Sequence, residues 1–285
     1  MKTMSFTTLI SAADTLQHIG EKNWIFLDCR HDLANVDAGR NTFAEGHIPT
    51  AQFVQLDDDL SGTKVDADGA FCGRHPLPDR ATFMAKLRSW GINDDTQVVA
   101  YDAHGGMFAA RCWWMLRWIG HASVAVLDGG LPAWTNANQP VSTEVVMPQP
   151  GSVSERKSLV NSVNVHDMLM NIQSQKMTVV DARSPDRFRG ENETLDKVGG
   201  HIPGAKNRFF KDNLQADGRF KPAQELQAEF RALIKDPQQA VMQCGSGVTA
   251  CHNLLALEVA GMTGASLYAG SWSEWCADPG RPVVS

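Results

Sequence analysis

The chain repeats itself. Phe26-Leu27-Asp28-Cys29-Arg30 is answered 153 residues later by Val179-Val180-Asp181-Ala182-Arg183. Gly46-His47-Ile48-Pro49 recurs 154 residues on as Gly200-His201-Ile202-Pro203. Gly129-Gly130-Leu131-Pro132-Ala133-Trp134 recurs 141 residues on as Gly270-Ser271-Trp272-Ser273-Glu274-Trp275. Three motifs in one order mark a duplicated domain, which restricts the chain to one architecture built twice. At 285 residues there is room for two ordinary cores.

The separation falls by 13 between the second and third motifs, so the first copy carries extra residues there. The stretch 57–78, with Gly62, Gly69, Gly73, Pro76 and Pro78, has no equal in the second copy and reads as a long loop. Loops of that length usually serve function, and this one is long enough to reach a neighbouring domain. The proline-rich, weakly patterned run from Pro140 to Gly151 reads as a linker. The expected division is a first domain over 1–140, a linker over 141–158 and a second domain over 159–285.

Each copy alternates short apolar runs with helical patterns. Strands are expected over 24–27, 98–101 and 124–127, with helices over 80–90 and 109–119. In the second copy the strands fall over 178–180, 240–243 and 266–268, with helices over 222–234 and 250–260. Such alternation predicts an α/β fold, each half a parallel β-sheet flanked by helices. Reactive loops in such sheets lie at the carboxyl ends of the strands.

Composition narrows the function classes. The formal net charge of −6 argues against a general nucleic-acid binder, which would carry a basic stripe. No apolar run approaches the ~20 residues of a membrane span, and Met1-Lys2-Thr3-Met4-Ser5-Phe6 makes a poor signal peptide. A cytoplasmic, reducing setting follows. The six cysteines (Cys29, Cys72, Cys112, Cys244, Cys251 and Cys276) contain no Cys-x-x-Cys pair and read as free thiols, mostly small buried hydrophobes. Cys72 and His75 are half a metal site at most, so no metal is expected.

Cys244 stands apart. It follows the apolar run Ala240-Val241-Met242-Gln243, opens the turn Cys244-Gly245-Ser246-Gly247-Val248-Thr249, and precedes a helix. A thiol on a glycine-bearing turn at a helix N-terminus faces unpaired backbone N–H groups and the positive end of the helix dipole, which favour a thiolate. The residue aligned with it in the first copy is Asp102. Only the second copy has a nucleophile, and the first reads as a scaffold.

Together these motifs resemble the tandem-domain rhodanese superfamily over essentially the whole chain. The shared features are the Asp-x-Arg strand ends, both Gly-His-Ile-Pro turns, the glycine and tryptophan segments, and a cysteine in the second copy only. The loop Cys-Gly-Ser-Gly-Val-Thr is similar to that of the 3-mercaptopyruvate sulfurtransferases within it. Thiosulfate sulfurtransferases instead carry a basic loop of the type Cys-Arg-Lys-Gly-Val-Thr, suited to a doubly charged anion.

The resemblance implies two tandem rhodanese-like domains and a two-step transfer without metal or organic cofactor. Cys244 takes the sulfur of 3-mercaptopyruvate as a persulfide, and a thiol acceptor or cyanide removes it. A thioredoxin-like dithiol is an implied acceptor. The amides of Gly245, Gly247, Val248 and Thr249 would hold the anionic sulfur.

The family's serine–histidine–aspartate relay maps onto Ser246, His75 and Asp57. His75 precedes Pro76-Leu77-Pro78, and Asp58 and Asp59 leave the register of Asp57 open. Arg187 matches one family arginine for the donor carboxylate. The second, shortly before the Gly-His-Ile-Pro turn, is missing: Thr194-Leu195-Asp196-Lys197 stands there, and Lys197 is its available point charge.

Each residue also has a plainer reading. Ser246 could serve as a helix cap, His75 and Asp57 as solvated loop residues, and Arg187 as the ion-pair partner of Asp186 or Glu191. His47 and His201 occupy equivalent turns and read as structural. Phosphatase relatives need Cys-x5-Arg, and Ala250 stands at that arginine's place. The competing functions are a thiosulfate:cyanide sulfurtransferase and a non-catalytic sulfur carrier.

Overall fold

The computed structural model describes residues 5–285. Residues 1–4, the greater part of the poor signal sequence, lie outside the described residues. The chain forms two compact units. The first takes in the described residues up to Leu60 together with Pro78–Leu159 and Gln215–Phe220. The second takes in Ser61–Leu77, Val160–Leu214 and Lys221–Ser285.

In the first unit the strands are β1 (Leu9–Ile10), β2 (Trp24–Asp28), β3 (Gln52–Phe53), β4 (Gln97–Tyr101) and β5 (Val124–Leu127). The helices are α1 (Ala12–Leu16), α2 (Ala38–Glu45), α3 (Leu56–Asp59), α4 (Arg80–Ser89), α5 (Ala109–Trp118) and α6 (Gly130–Asn136). The second unit has β6 (Asn161–Val163), β7 (Thr178–Asp181), β8 (Lys206–Asn207), β9 (Ala240–Gln243) and β10 (Ser266–Tyr268). Its helices are α7 (Val165–Ser174), α8 (Pro185–Phe188), α9 (Ala223–Leu233), α10 (Thr249–Val259) and α11 (Ser271–Trp275).

The sheet orders are β1-β5-β4-β2-β3 and β6-β10-β9-β7-β8, parallel at every pairing. Strand for strand, one order is the other, as a duplication requires. The inner strands β4, β5 and β9 are buried at every residue. Helices cover both faces of such a sheet, which is why these strands read as unbroken apolar runs.

The repeated motifs are the joints of each unit. Arg30 forks onto the Asp28 carboxylate and donates from Nη2 to Gly46 O at 2.7 Å; Arg183 does the same with Asp181 and Gly200 O, also at 2.7 Å. The Asp-x-Arg strand end thereby ties itself to the Gly-His-Ile-Pro turn. His47 stacks on Phe43 and His201 on Phe188, both with ring centroids 3.8 Å apart. These histidines are turn residues. Trp134 Nε1 donates to Pro140 O and Trp275 Nε1 to Pro282 O, closing the last helix of each copy. Trp134 packs with Phe26, Val99 and Tyr101 in one core, and Trp275 packs with Val179, Val241 and Tyr268 in the other.

Candidate active site

Cys244 lies directly after β9 at the carboxyl end of its sheet and is 2 % exposed. Its N–H donates to Ser271 Oγ at 3.1 Å, its carbonyl accepts from Trp272 N at 2.9 Å, and Gly245 O accepts from Ser273 N at 2.9 Å. The turn is thus hung on the start of α11. Gly247 has φ of 77°, and a Cβ there would stand 2.3 Å from Ala269 O, so glycine is needed twice over. α10 then starts at Thr249, and no side chain caps it.

The aligned turn in the first unit shows what such a loop collects. The Asp102 carboxylate accepts four backbone N–H bonds, from His104 and Gly106 on Oδ1 at 2.7 and 3.0 Å and from Phe108 and Ala109 on Oδ2 at 2.7 and 2.9 Å. An anion borne by the side chain at the strand end fills the turn. In the second copy a thiol occupies that position.

Segment 61–77 folds with the second unit although β4 and β5 of the first follow it in sequence. Gly62 N donates to Pro76 O at 2.9 Å and closes the segment into a loop. Arg74 N donates to Ser273 Oγ at 3.1 Å. Gly73, at φ of 103°, lies so near Gly270 that a Cβ would stand 2.8 Å from its carbonyl. The loop therefore seats on the start of α11, the same place that holds the Cys244 turn. His75 Nδ1 comes within 2.8 Å of Ser246 Oγ, and both residues are buried.

A charged cluster flanks the turn. Arg187 Nη2 lies 2.9 Å from both carboxylate oxygens of Glu193, and its Nε lies 3.1 Å from Oε2. Arg183 Nη1 reaches the same carboxylate at 3.3 Å. Burial would raise the Glu193 pKa, but the arginine and the amides of Leu195 and Asp196 hold it below the ordinary range. Arg74 Nη1 pairs with Asp196 Oδ1, and Arg187 Nη2 stands 3.7 Å from Asp196 Oδ2. Burial raises the Asp196 carboxyl despite both cations.

Of the residues singled out in the sequence, Cys244, Gly245, Ser246, Gly247, Val248, Thr249, His75 and Arg187 are all in the second unit. Asp57 is in α3 of the first unit, its Oδ2 3.8 Å from His31 Nε2. Lys197 is exposed. Arg187 does pair with a carboxylate, though Glu193 rather than Asp186 or Glu191; Asp186 instead bonds its own neighbours and is lowered to about 2 by Ser184, Asn192 and the Arg187 amide. Sequence reasoning missed Ser271, Ser273 and Arg74. Ser271 stands where the first copy has Gly130 and keeps the left-handed φ, at 54°. That exchange was visible in the third repeat, as was an arginine directly before His75.

The rhodanese-like domain model matches residues 11–137 and 164–278. The chain belongs to the rhodanese family. Rhodanese relatives share most of its length. "Probable 3-mercaptopyruvate sulfurtransferase" of Pseudomonas aeruginosa is 42% identical over 285 residues, covering 99% of each chain. "Thiosulfate sulfurtransferase" of Mus musculus is 36% identical, covering 83% of this chain and 79% of its own. SseA of Escherichia coli, whose structure is described among 3-mercaptopyruvate sulfotransferases, superposes with a TM-score of 0.81 at 30% identity, over 94% of this chain and 100% of its own. Both rhodanese copies keep the turn; only the second has a thiol in it.

Among the described residues no helix is long and apolar enough to cross a membrane.

Proposed function

We propose that this rhodanese is a 3-mercaptopyruvate sulfurtransferase, with Cys244 as nucleophile and a thiol or cyanide as acceptor. The observation that carries the proposal is the Asp102 carboxylate, held by four amides in the turn equivalent to that of Cys244. A turn built to hold an anion at that position suits a thiolate and then a persulfide. The 42% identity to the Pseudomonas protein and the likeness to SseA support the same donor. So does the neutral pair Gly245-Ser246 where thiosulfate enzymes carry cations.

The chemistry balances without a cofactor. The Cys244 thiolate attacks the donor sulfur, the donor's carbon–sulfur bond breaks, and its electron pair leaves with the enolate of pyruvate. One proton on the enolate carbon completes pyruvate, and Cys244 is left as a persulfide. Ser246, recharged through His75 at 2.8 Å, is the proton source. Asp57 is the relay's third member by its place in the family pattern. The acceptor thiolate then attacks the outer sulfur and releases the Cys244 thiolate. The amides of Gly245, Gly247, Val248 and Thr249 hold the anionic sulfur, and Arg187 binds the donor carboxylate.

The copies run over 1–140 and 159–285, joined by 141–158, with loop 61–77 lent to the second. The first is a scaffold. The acceptor is a cytoplasmic dithiol of the thioredoxin kind. Steady-state turnover with 3-mercaptopyruvate and with thiosulfate tests the donor: kcat/KM is expected to favour 3-mercaptopyruvate, and a preference for thiosulfate contradicts the assignment.

A further inference from the structure

We propose that the first unit binds a small amino acid in a cavity at the carboxyl end of its own sheet, where Arg30 takes the carboxylate and His31 with Asp32 the ammonium group. The cavity measures about 290 Å³, at the small end of ligand sites, and every residue lining it belongs to the first unit. Arg30, His31 and Asp32 follow β2, and Ala103 and His104 follow β4. The copy without a nucleophile thus keeps a recess at its strand ends.

The two copies differ at this arginine. Arg30 and Arg183 tie equivalent turns in the same way, each through Nε and Nη2. Arg183 Nη1 also reaches the Glu193 carboxylate at 3.3 Å. At the repeat separations of 153 and 154 residues, Glu193 corresponds to Arg40 or Gly39, so the first copy has no acid there. Among the described residues Arg30 pairs with no carboxylate but Asp28, and its Nη1 has no hydrogen-bond partner. Gly39 lines the cavity, and a Cβ on it would stand 2.0 Å from Arg30 O, so no side chain fits at that position. A guanidinium N–H left over beside a cavity selects a ligand carboxylate.

His31 supplies the other half. It is 3 % exposed, and its Nδ1 has no hydrogen-bond partner, a costly state for a buried polar atom. Its Nε2 stands 3.8 Å from Asp57 Oδ2, and the carboxylate assigns the ring proton to that nitrogen. Nδ1 is left as an acceptor, so the ligand brings the donor. Asp32 makes that donor a cation. Its Oδ1 accepts from the amides of Ala34 and Asn35, which hold the carboxyl below its ordinary range and keep it ionised at neutral pH. Ala38, Gly39 and Ala103 leave space for a short apolar side chain.

Saturation-transfer NMR titration of the full-length chain with L-alanine is the test. The wild type is expected to bind with a Kd of about 1 mM or tighter. Propionate and ethylamine, each lacking one of the two charged groups, should bind at least roughly tenfold more weakly. Ala103→Phe, which fills the cavity, should abolish binding. Arg30→Lys and Asp32→Asn should each weaken it roughly 3- to 30-fold. Asp32 is exposed, so its variant covers the case in which Arg30→Lys fails to fold. Arg187→Ala, in the second unit, should leave the Kd for L-alanine unchanged.

A wild type that shows no L-alanine binding at about 10 mM overturns the inference. Propionate bound as tightly as L-alanine reduces the cavity to an anion site and overturns the amino-acid assignment. Binding kept by Ala103→Phe but lost in Arg187→Ala places the ligand in the second unit and overturns it equally.

Discussion

His75 Nδ1 and Ser246 Oγ are 2.8 Å apart although 171 residues separate them in the chain. The contact exists because loop 61–77 folds with the second unit, so the first copy's extra residues complete the surroundings of the second copy's cysteine. If this pair delivers the proton that completes pyruvate, Ser246→Ala and His75→Ala should each lower kcat roughly 100- to 10,000-fold. KM should change little, and the double variant should be no worse than the poorer single one, since the two act as a unit. Stopped-flow pyruvate release with 3-mercaptopyruvate measures it; a rise in KM with kcat intact would refute the relay.

Asp102 should matter for stability rather than for sulfur transfer. Asp102→Ala strands four amides that its carboxylate now satisfies, three of them in buried bonds, and should lower the unfolding free energy by about 3–5 kcal/mol. Urea titration gives the loss. Protein still folded should take sulfur on Cys244 as the wild type does; an unchanged urea midpoint would mean that the loop amides do not need their anion.

Much of this was legible in the chain. The inner strands β2, β4, β5, β7, β9 and β10 stood out as apolar runs because they are buried on both faces. The edge strands β1, β3 and β8 have two residues each and β6 has three, too short to carry any period, and pairing alone makes them strands. The repeat arithmetic exposed the insertion, and its length together with the pairing of His75 with Ser246 expected from the family likeness pointed to the second unit, with which residues 61–77 fold. Arg74 was hidden for a related reason: the residues it meets, Asp196 and Ser273, lie far along the chain from it.

Acid should weaken the first unit through two histidines. Burial pushes His31 and His121 below the ordinary 6.5, against the upward pull of Asp57 on the first and of the Thr96 carbonyl on the second. Below that value the unfolded chain takes up protons that the folded histidines refuse, so stability present above about pH 6.5 is lost as pH falls. The urea midpoint should drop between about pH 7.5 and 5.5, and drop less in His121→Gln. An equal drop in that variant would remove His121 from the explanation.

The central claim is that Cys244 carries the sulfur, and intact-mass spectrometry of the full-length chain tests it most directly. After one equivalent of 3-mercaptopyruvate, the protein should gain the mass of one sulfur atom on the Cys244 peptide and release one pyruvate. An acceptor thiol should remove the added mass, and Cys244→Ser should gain none. Sulfur found on Cys72, Cys251 or Cys276 instead, or turnover retained by Cys244→Ser, would contradict the account.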